Sequence, residues 1–132
     1  MGTPTDVLVA VIDDDGSVRK ALGRLLRSAG LSVQAFASAE DYLEAGPAAA
    51  CLILDQRLPG LSGLELYRRL IEKGRSVAAV FITGQDHEPT RREALAAGAV
   101  AFLLKPFDDE VLLRAVSGAV TGGGSAPSAA RP

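Results

Sequence analysis

The sequence predicts an α/β fold, a parallel sheet wrapped by crossover helices, and three observations point to it. Short apolar runs of strand length alternate five times with amphipathic stretches of helical period. The first run is almost unbroken in apolar residues, as a strand buried on both faces requires. The chain has 132 residues, 48% apolar and 23% charged, which suits one folded domain with a sizeable core and no more.

Taken in order, Val7 to Ile12 is the first strand, and it ends in Asp13, Asp14 and Asp15. Val18, Leu22, Leu25, Leu26 and Ala29 then recur at helical spacing, with Gly30 as the C-terminal stop. Leu31 to Phe36 is the second strand. Ser38-Ala39-Glu40-Asp41 resembles a capping box opening a short helix that Gly46-Pro47 finishes. Cys51 to Leu54 is the third strand, with Asp55 at its carboxyl end. The Pro59-Gly60 turn leads to a second capping box, Ser62-Gly63-Leu64-Glu65, whose helix turns Leu64, Tyr67, Leu70 and Ile71 inward and stops at Gly74. Val77 to Ile82 is the fourth strand, ending at Thr83-Gly84, and Pro89 suits the first turn of a helix running to Gly98. Val100 to Leu104 is the fifth strand, ending at Lys105-Pro106. Asp108 caps a fifth helix carrying Val111, Leu112, Ala115 and Val116. The domain is expected over residues 1–120. Residues 121–132, rich in Gly, Ser, Ala and Pro without a large apolar anchor, read as a flexible tail or linker.

Composition narrows the function. A net charge of −2, from 14 basic and 16 acidic side chains, argues against a domain built to coat nucleic acid or anionic lipid. A single cysteine, Cys51, excludes an internal disulfide and a cysteine-rich zinc site and fits a reducing, cytoplasmic setting. No apolar run approaches the ~20 residues that span a bilayer, and the N-terminus lacks the pattern of a signal peptide.

Ligands of open parallel sheets bind outside the carboxyl ends of the strands. Asp13 and Asp14 fall there after the first strand, Asp55 after the third, Thr83 after the fourth and Lys105 after the fifth. Crowded carboxylates repel one another unless a cation neutralises them. Three of them, with carbonyl and water oxygens, suit Mg²⁺, which favours octahedral oxygen ligation. Lys105 adds a second positive charge, Thr83 a hydroxyl donor, and Gly84 space. Such a set can stabilise a phosphoryl group during transfer to a carboxylate.

This order and spacing resembles the receiver domain of bacterial two-component response regulators over roughly residues 5 to 120. The matching pieces are Ile12-Asp13-Asp14-Asp15, Leu54-Asp55 through Ser62-Gly63, Phe81-Ile82-Thr83-Gly84 and Phe102-Leu103-Leu104-Lys105-Pro106-Phe107. The resemblance implies a doubly wound, flavodoxin-like sheet of five parallel strands in the order 2-1-3-4-5, flanked by five helices. It implies that Asp55 accepts a phosphoryl group from a sensor histidine kinase. By the same resemblance Asp14 ligates Mg²⁺ directly, Asp13 mostly through water, and Asp55 and the Arg57 carbonyl complete the protein ligands. Thr83 and Lys105 would hold the phosphoryl oxygens, and Phe102 would be the aromatic that reports the state of Thr83. The chain would then be a signalling domain, not an enzyme acting on a separate substrate. Its partners would be the kinase and, through the fourth helix, fifth strand and fifth helix, a second copy. The Thr83-Gly84-Gln85-Asp86 stretch looks most like the branch that often carries a helix-turn-helix output domain. This sequence has only its linker-like tail there, so no direct DNA binding is expected of it.

Plainer readings stand beside these. Asp13 and Asp14 suit a helix N-terminus, and Asp15 is the better candidate for that cap. Phe102 also has a reading as plain core, Cys51 reads as a small buried apolar residue and His87 as solvated. Arg68-Arg69 and Arg91-Arg92 read as solvated helix faces, the latter pair also as a partner contact. A phosphatase of the haloacid dehalogenase class would use Asp13 and Asp15 as its D-x-D pair and Asp108-Asp109 as its late acidic pair. That scheme leaves Asp55 without a role and has little room for a substrate cap. A flavodoxin-like phosphate-binding module needs Ser, Thr or Gly where the three aspartates stand. A degenerate receiver serving only as a scaffold is disfavoured because all five functional positions are intact.

Overall fold

The structure, a computed structural model, describes residues 7–75 and 77–121. The tail expected from residue 121 lies, beyond Thr121, outside the described residues. Five strands alternate with five helices. In chain order they are β1 (Leu8–Ile12), α1 (Gly16–Ser28), β2 (Ser32–Phe36), α2 (Ala39–Ala45), β3 (Cys51–Asp55), α3 (Gly63–Glu72), β4 (Ala78–Thr83), α4 (Glu88–Ala96), β5 (Ala101–Leu104) and α5 (Asp109–Thr121). All pair in parallel, in the order β2-β1-β3-β4-β5. No helix among the described residues is long and apolar enough to cross a membrane.

Side-chain alternation along the central strands sorts the core into two layers. Ile12, Leu52, Leu54 and Phe81 face α2, α3 and α4, where they meet Tyr42, Leu66, Leu70 and Ala94. Val11, Ile53, Val80 and Ile82 face α1 and α5, where they meet Leu22, Leu26, Leu112 and Val116. Burial of each large side chain of this kind is worth roughly 1.5–3 kcal/mol. Cys51 belongs to the second layer, and burial pushes its thiol up to about 12.

The register carries this core pattern to the functional end of the sheet. Ile12 pairs with Leu54, so Asp13 and Asp55 follow side by side. Asp55 pairs with Ile82 and Thr83 with Leu104, which sets Thr83 and Lys105 just beyond. The sheet reverses its strand order at β1 and β3, and that is where an open sheet leaves a crevice.

Most caps are as the sequence implies. Asp15 accepts from the Ser17 N–H at 2.9 Å, Ser38 from Asp41 at 3.0 Å and Asp108 from Glu110 at 2.8 Å. Both halves of the Ser62–Glu65 capping box form. Several expectations need correction. Ile71 is exposed, and Leu66 takes its place in the core, because the buried stripe of α3 runs through Leu66 and Leu70, one turn apart. Val111 is likewise exposed, since α5 buries the row Leu112, Val116 and Ala119. Ala29 is the exposed C-cap of α1 rather than a core residue. Val100 lies outside β5 and faces solvent. His87, expected to be merely solvated, caps α4 by accepting from the Thr90 N–H through Nδ1 at 3.3 Å.

Gly63 is needed for space. A Cβ there would lie 2.7 Å from the Asp55 carbonyl oxygen and 3.2 Å from the Gln56 Cα. Gly63→Ala should therefore cost about 1–3 kcal/mol in urea denaturation, the scale of an overpacked core. Gly118, inside α5 with nothing within 4 Å, gives the opposite expectation. Gly118→Ala should raise stability by roughly 0.5–1 kcal/mol through helix propensity alone.

Candidate functional site

The strand ends bring Asp13, Asp14, Asp55, Thr83 and Lys105 to one place. Asp13 is fully buried, Asp55 is 5% exposed and Thr83 is 1% exposed, whereas Asp14 faces solvent. Asp13, Asp14 and Asp55 each offer a carboxylate oxygen within 4.8 Å of the other two. Lys105 bridges the buried pair, its Nζ donating to Asp13 Oδ2 at 3.0 Å and to Asp55 Oδ2 at 3.3 Å.

Backbone donors hold the remaining oxygens. The Asp15 N–H donates to Asp13 Oδ1 at 2.9 Å, and the Arg57 N–H to Asp55 Oδ1 at 3.2 Å. Arg19 reaches back from α1 to the Asp13 carbonyl at 2.7 Å. Asp14 has no hydrogen-bond partner among the described residues, so its carboxylate is free to meet a cation. One ammonium against three carboxylates leaves the site electron-rich, and a hard divalent cation suits that donor set.

Thr83 sits opposite. Its Oγ1 accepts from the Gln85 N–H at 3.3 Å and its carbonyl from the Lys105 N–H at 2.7 Å, and its hydroxyl proton has no acceptor among the described residues. Phe102 is half-buried, stacked on Phe81 at 5.9 Å between centroids with the rings 19° apart. With Thr83, His87 and Thr90 it lines a cavity of about 200 Å³ beneath the start of α4. Above the site the Arg57 guanidinium donates to the Gln85 side chain, bridging the β3–α3 and β4–α4 loops.

Other candidates are elsewhere. Asp15 is spent on the α1 cap and Asp108 on α5, so neither acidic pair of the phosphatase reading forms. Arg91 and Arg92 pair with Glu88, and Arg68 with Glu93. These are helix faces in solvent, as the sequence suggested.

Electrostatics mark out Asp55. Burial and the neighbouring Asp13 charge raise its pKa, against the Arg57 amide and the Lys105 ammonium, which lower it. Burial disfavours the charged form of Lys105. Its hydrogen bond to Asp13 and the charges of Asp55 and Asp13 outweigh that, and its pKa lies above the ordinary value.

The pKa of Asp55 is higher folded than unfolded, so its contribution to stability is present below the unfolded value and is lost as pH rises through the folded one. At neutral pH its charge works against folding. Asp55→Asn should thus raise the melting midpoint in metal-free buffer, with Asp13 still pairing Lys105. Mg²⁺ should raise the wild-type midpoint and do so less in the variant. A lower midpoint for Asp55→Asn in EDTA would contradict this electrostatic picture.

The family model described as response regulator receiver domain matches residues 9–117. The transcriptional regulatory protein FixJ of Azorhizobium caulinodans is 44% identical over 115 residues, covering 86% of this chain and 54% of that protein. The response regulator protein TodT of Pseudomonas putida is also 44% identical over 115 residues, covering 86% of this chain and 51% of that one. This chain therefore spans about half the length of these curated relatives. Among solved structures, FixJ-N is 37% identical with a TM-score of 0.80, covering 89% of this chain and 95% of that one. The response regulator StyR is 42% identical with a TM-score of 0.81, covering 86% of this chain and 59% of that one. Fold, strand-end chemistry and these likenesses agree: the chain belongs to the response regulator receiver domain family of two-component signalling.

Proposed function

We propose that the domain takes a phosphoryl group onto Asp55 from a sensor histidine kinase, with Mg²⁺, and switches a partner-binding face in response. The observation that carries this reading is the surrounding of one raised-pKa carboxylate by complementary groups. Lys105 reaches Asp55, the unpaired Asp14 carboxylate stands within 4.8 Å of it, and the Thr83 hydroxyl is free to donate. An Asp55 oxygen attacks phosphorus, the bond to the donor breaks, and the donor's imidazole nitrogen leaves with the electron pair. Lys105 and Thr83 hold the phosphoryl oxygens as charge develops on them. Asp14, Asp13 through water, Asp55 and the Arg57 carbonyl would hold Mg²⁺, which supplies further charge neutralisation to the phosphoryl oxygens.

The output side is argued from the same residues. New anionic oxygens on Asp55 would draw the Thr83 hydroxyl inward, since they are better acceptors than anything near it. Phe102 could then move into the cavity it borders with Thr83. Leu95 of α4, Val100 just before β5, Leu104 of β5 and Val111 of α5 are all exposed, apolar side chains suited to meeting a second copy or another partner. Direct DNA binding is not proposed for these residues. The net charge is −2, and the α4 arginines are internally paired.

Incubation with acetyl phosphate and Mg²⁺ should add one phosphoryl mass, and Asp55→Asn should abolish it. Unchanged incorporation in that variant overturns the assignment. Asp14→Ala should weaken Mg²⁺ binding roughly tenfold or more and slow phosphorylation in parallel. Asp13→Ala should weaken Mg²⁺ binding less.

The switch has its own test. With beryllofluoride, chemical-shift changes should spread over residues 83–105 in the wild type and contract in Thr83→Ala. Changes confined to the Asp55 pocket in both proteins would show that Thr83 and Phe102 do not transmit the signal.

A further inference from the structure

The segment between β3 and α3, residues 56–62, carries the Arg57 carbonyl, and its own two ends supply most of what holds it. The Gln56 carbonyl accepts from the Gly63 N–H at 3.1 Å, and Gln56 Oε1 accepts from the Leu64 N–H at 2.9 Å. Its middle is held from outside. The Leu61 N–H donates to Glu40 Oε2 at 2.9 Å, from a residue 21 positions earlier in the first turn of α2. The flanking elements add the Arg57 N–H to Asp55 Oδ1 at 3.2 Å and the Ser62 N–H to Glu65 Oε1 at 2.8 Å, so among the described residues Glu40 is the side chain from a more distant element that bonds this backbone.

Gly60 is shaped around the same carboxylate. Its φ is +76°, and a Cβ there would lie 2.4 Å from Glu40 Oε2. The left-handed φ disfavours a larger residue, and a Cβ there would have to displace the Glu40 carboxylate. The Leu61 amide and then Glu40's own N–H at the start of α2 hold the Glu40 carboxyl below its usual range against desolvation, with a smaller contribution from the Arg69 charge on α3. It is an anion at neutral pH, and α2 is meanwhile fixed to the core through Ala39 and Tyr42.

We propose that Glu40 is a positioning residue for the Asp55 site. Its carboxylate clamps the Gly60–Leu61 turn to α2 and so sets where the Arg57 carbonyl stands relative to Asp14 and Asp55. This rests on the reading of Arg57 as a metal ligand. The plainer alternative is an exposed side chain on a nearby amide, with no effect beyond that bond.

Three variants separate the clamp from its charge. Glu40→Ala removes the acceptor, Glu40→Gln keeps an acceptor of the same reach without charge, and Glu40→Asp keeps the charge one methylene short. Leu61 amide exchange should quicken about tenfold in Glu40→Ala. Its Mg²⁺ dissociation constant should rise by roughly the tenfold typical of lost outer-shell support. Phosphorylation by acetyl phosphate should slow at subsaturating Mg²⁺ and recover at saturating Mg²⁺. Glu40→Gln should restore most of all three properties, and Glu40→Asp less. Thermal melts of each variant check that the fold persists.

Unchanged Mg²⁺ affinity in Glu40→Ala overturns the proposal, and so does better rescue by Asp than by Gln, which would indicate long-range charge. A wild type that binds Mg²⁺ but takes no phosphoryl group sinks the phosphoacceptor reading. The exchange rates and affinities would still decide on Glu40. A wild type that binds no Mg²⁺ overturns both.

Discussion

The bridge from Lys105 to Asp13 and Asp55 is the constraint on which the rest of the site depends. Two carboxylates out of water, with a third nearby, form a repulsive cluster that folding alone does not favour. The ammonium makes it tolerable by donating to both buried members, at 3.0 and 3.3 Å. It compensates only in part, since the pKa of Asp55 remains raised. The protein folds around an electrostatic deficit that a divalent cation is suited to fill.

That cluster exists because of sheet register more than local sequence. Asp13, Asp55, Thr83 and Lys105 are separated by 42, 28 and 22 positions along the chain, and meet because β1, β3, β4 and β5 stop together at one edge. Apolar residues on both faces of the central strands fix that register. A one-residue slip would exchange the α1/α5 layer for the α2/α3/α4 layer. Core packing and site geometry are one specification, and Gly63, pressed against the Asp55 carbonyl, is where they touch.

Much of this was legible in the sequence. Short unbroken apolar runs such as Val9 to Ile12, bounded by polar turn residues, read as central strands, and the charged residues that end them then fall at the carboxyl ends of the sheet. The misreadings have physical causes. Ile71 and Leu66 are both apolar on α3, and which is buried depends on how the helix rolls onto the sheet, a property set by its neighbours. The roll of α5 likewise leaves Val111 exposed beside the buried Leu112. His87 gave no capping signal because imidazole is an uncommon acceptor at helix starts, where Ser, Thr, Asp and Asn lead. Glu40 looked like an ordinary first-turn acid. Its bond to Leu61 spans 21 residues and leaves no short-range pattern.

The burial of Cys51 has a practical side. With its thiol pushed up to about 12 and its side chain inside the second core layer, the folded protein presents almost no thiolate to solvent at neutral pH. It is the only cysteine in the sequence. A second one introduced on an exposed helix face would be chemically distinguishable without removing the first. Spin labels or fluorophores could then be attached one at a time to α2 or α4, on a background left in its natural sequence.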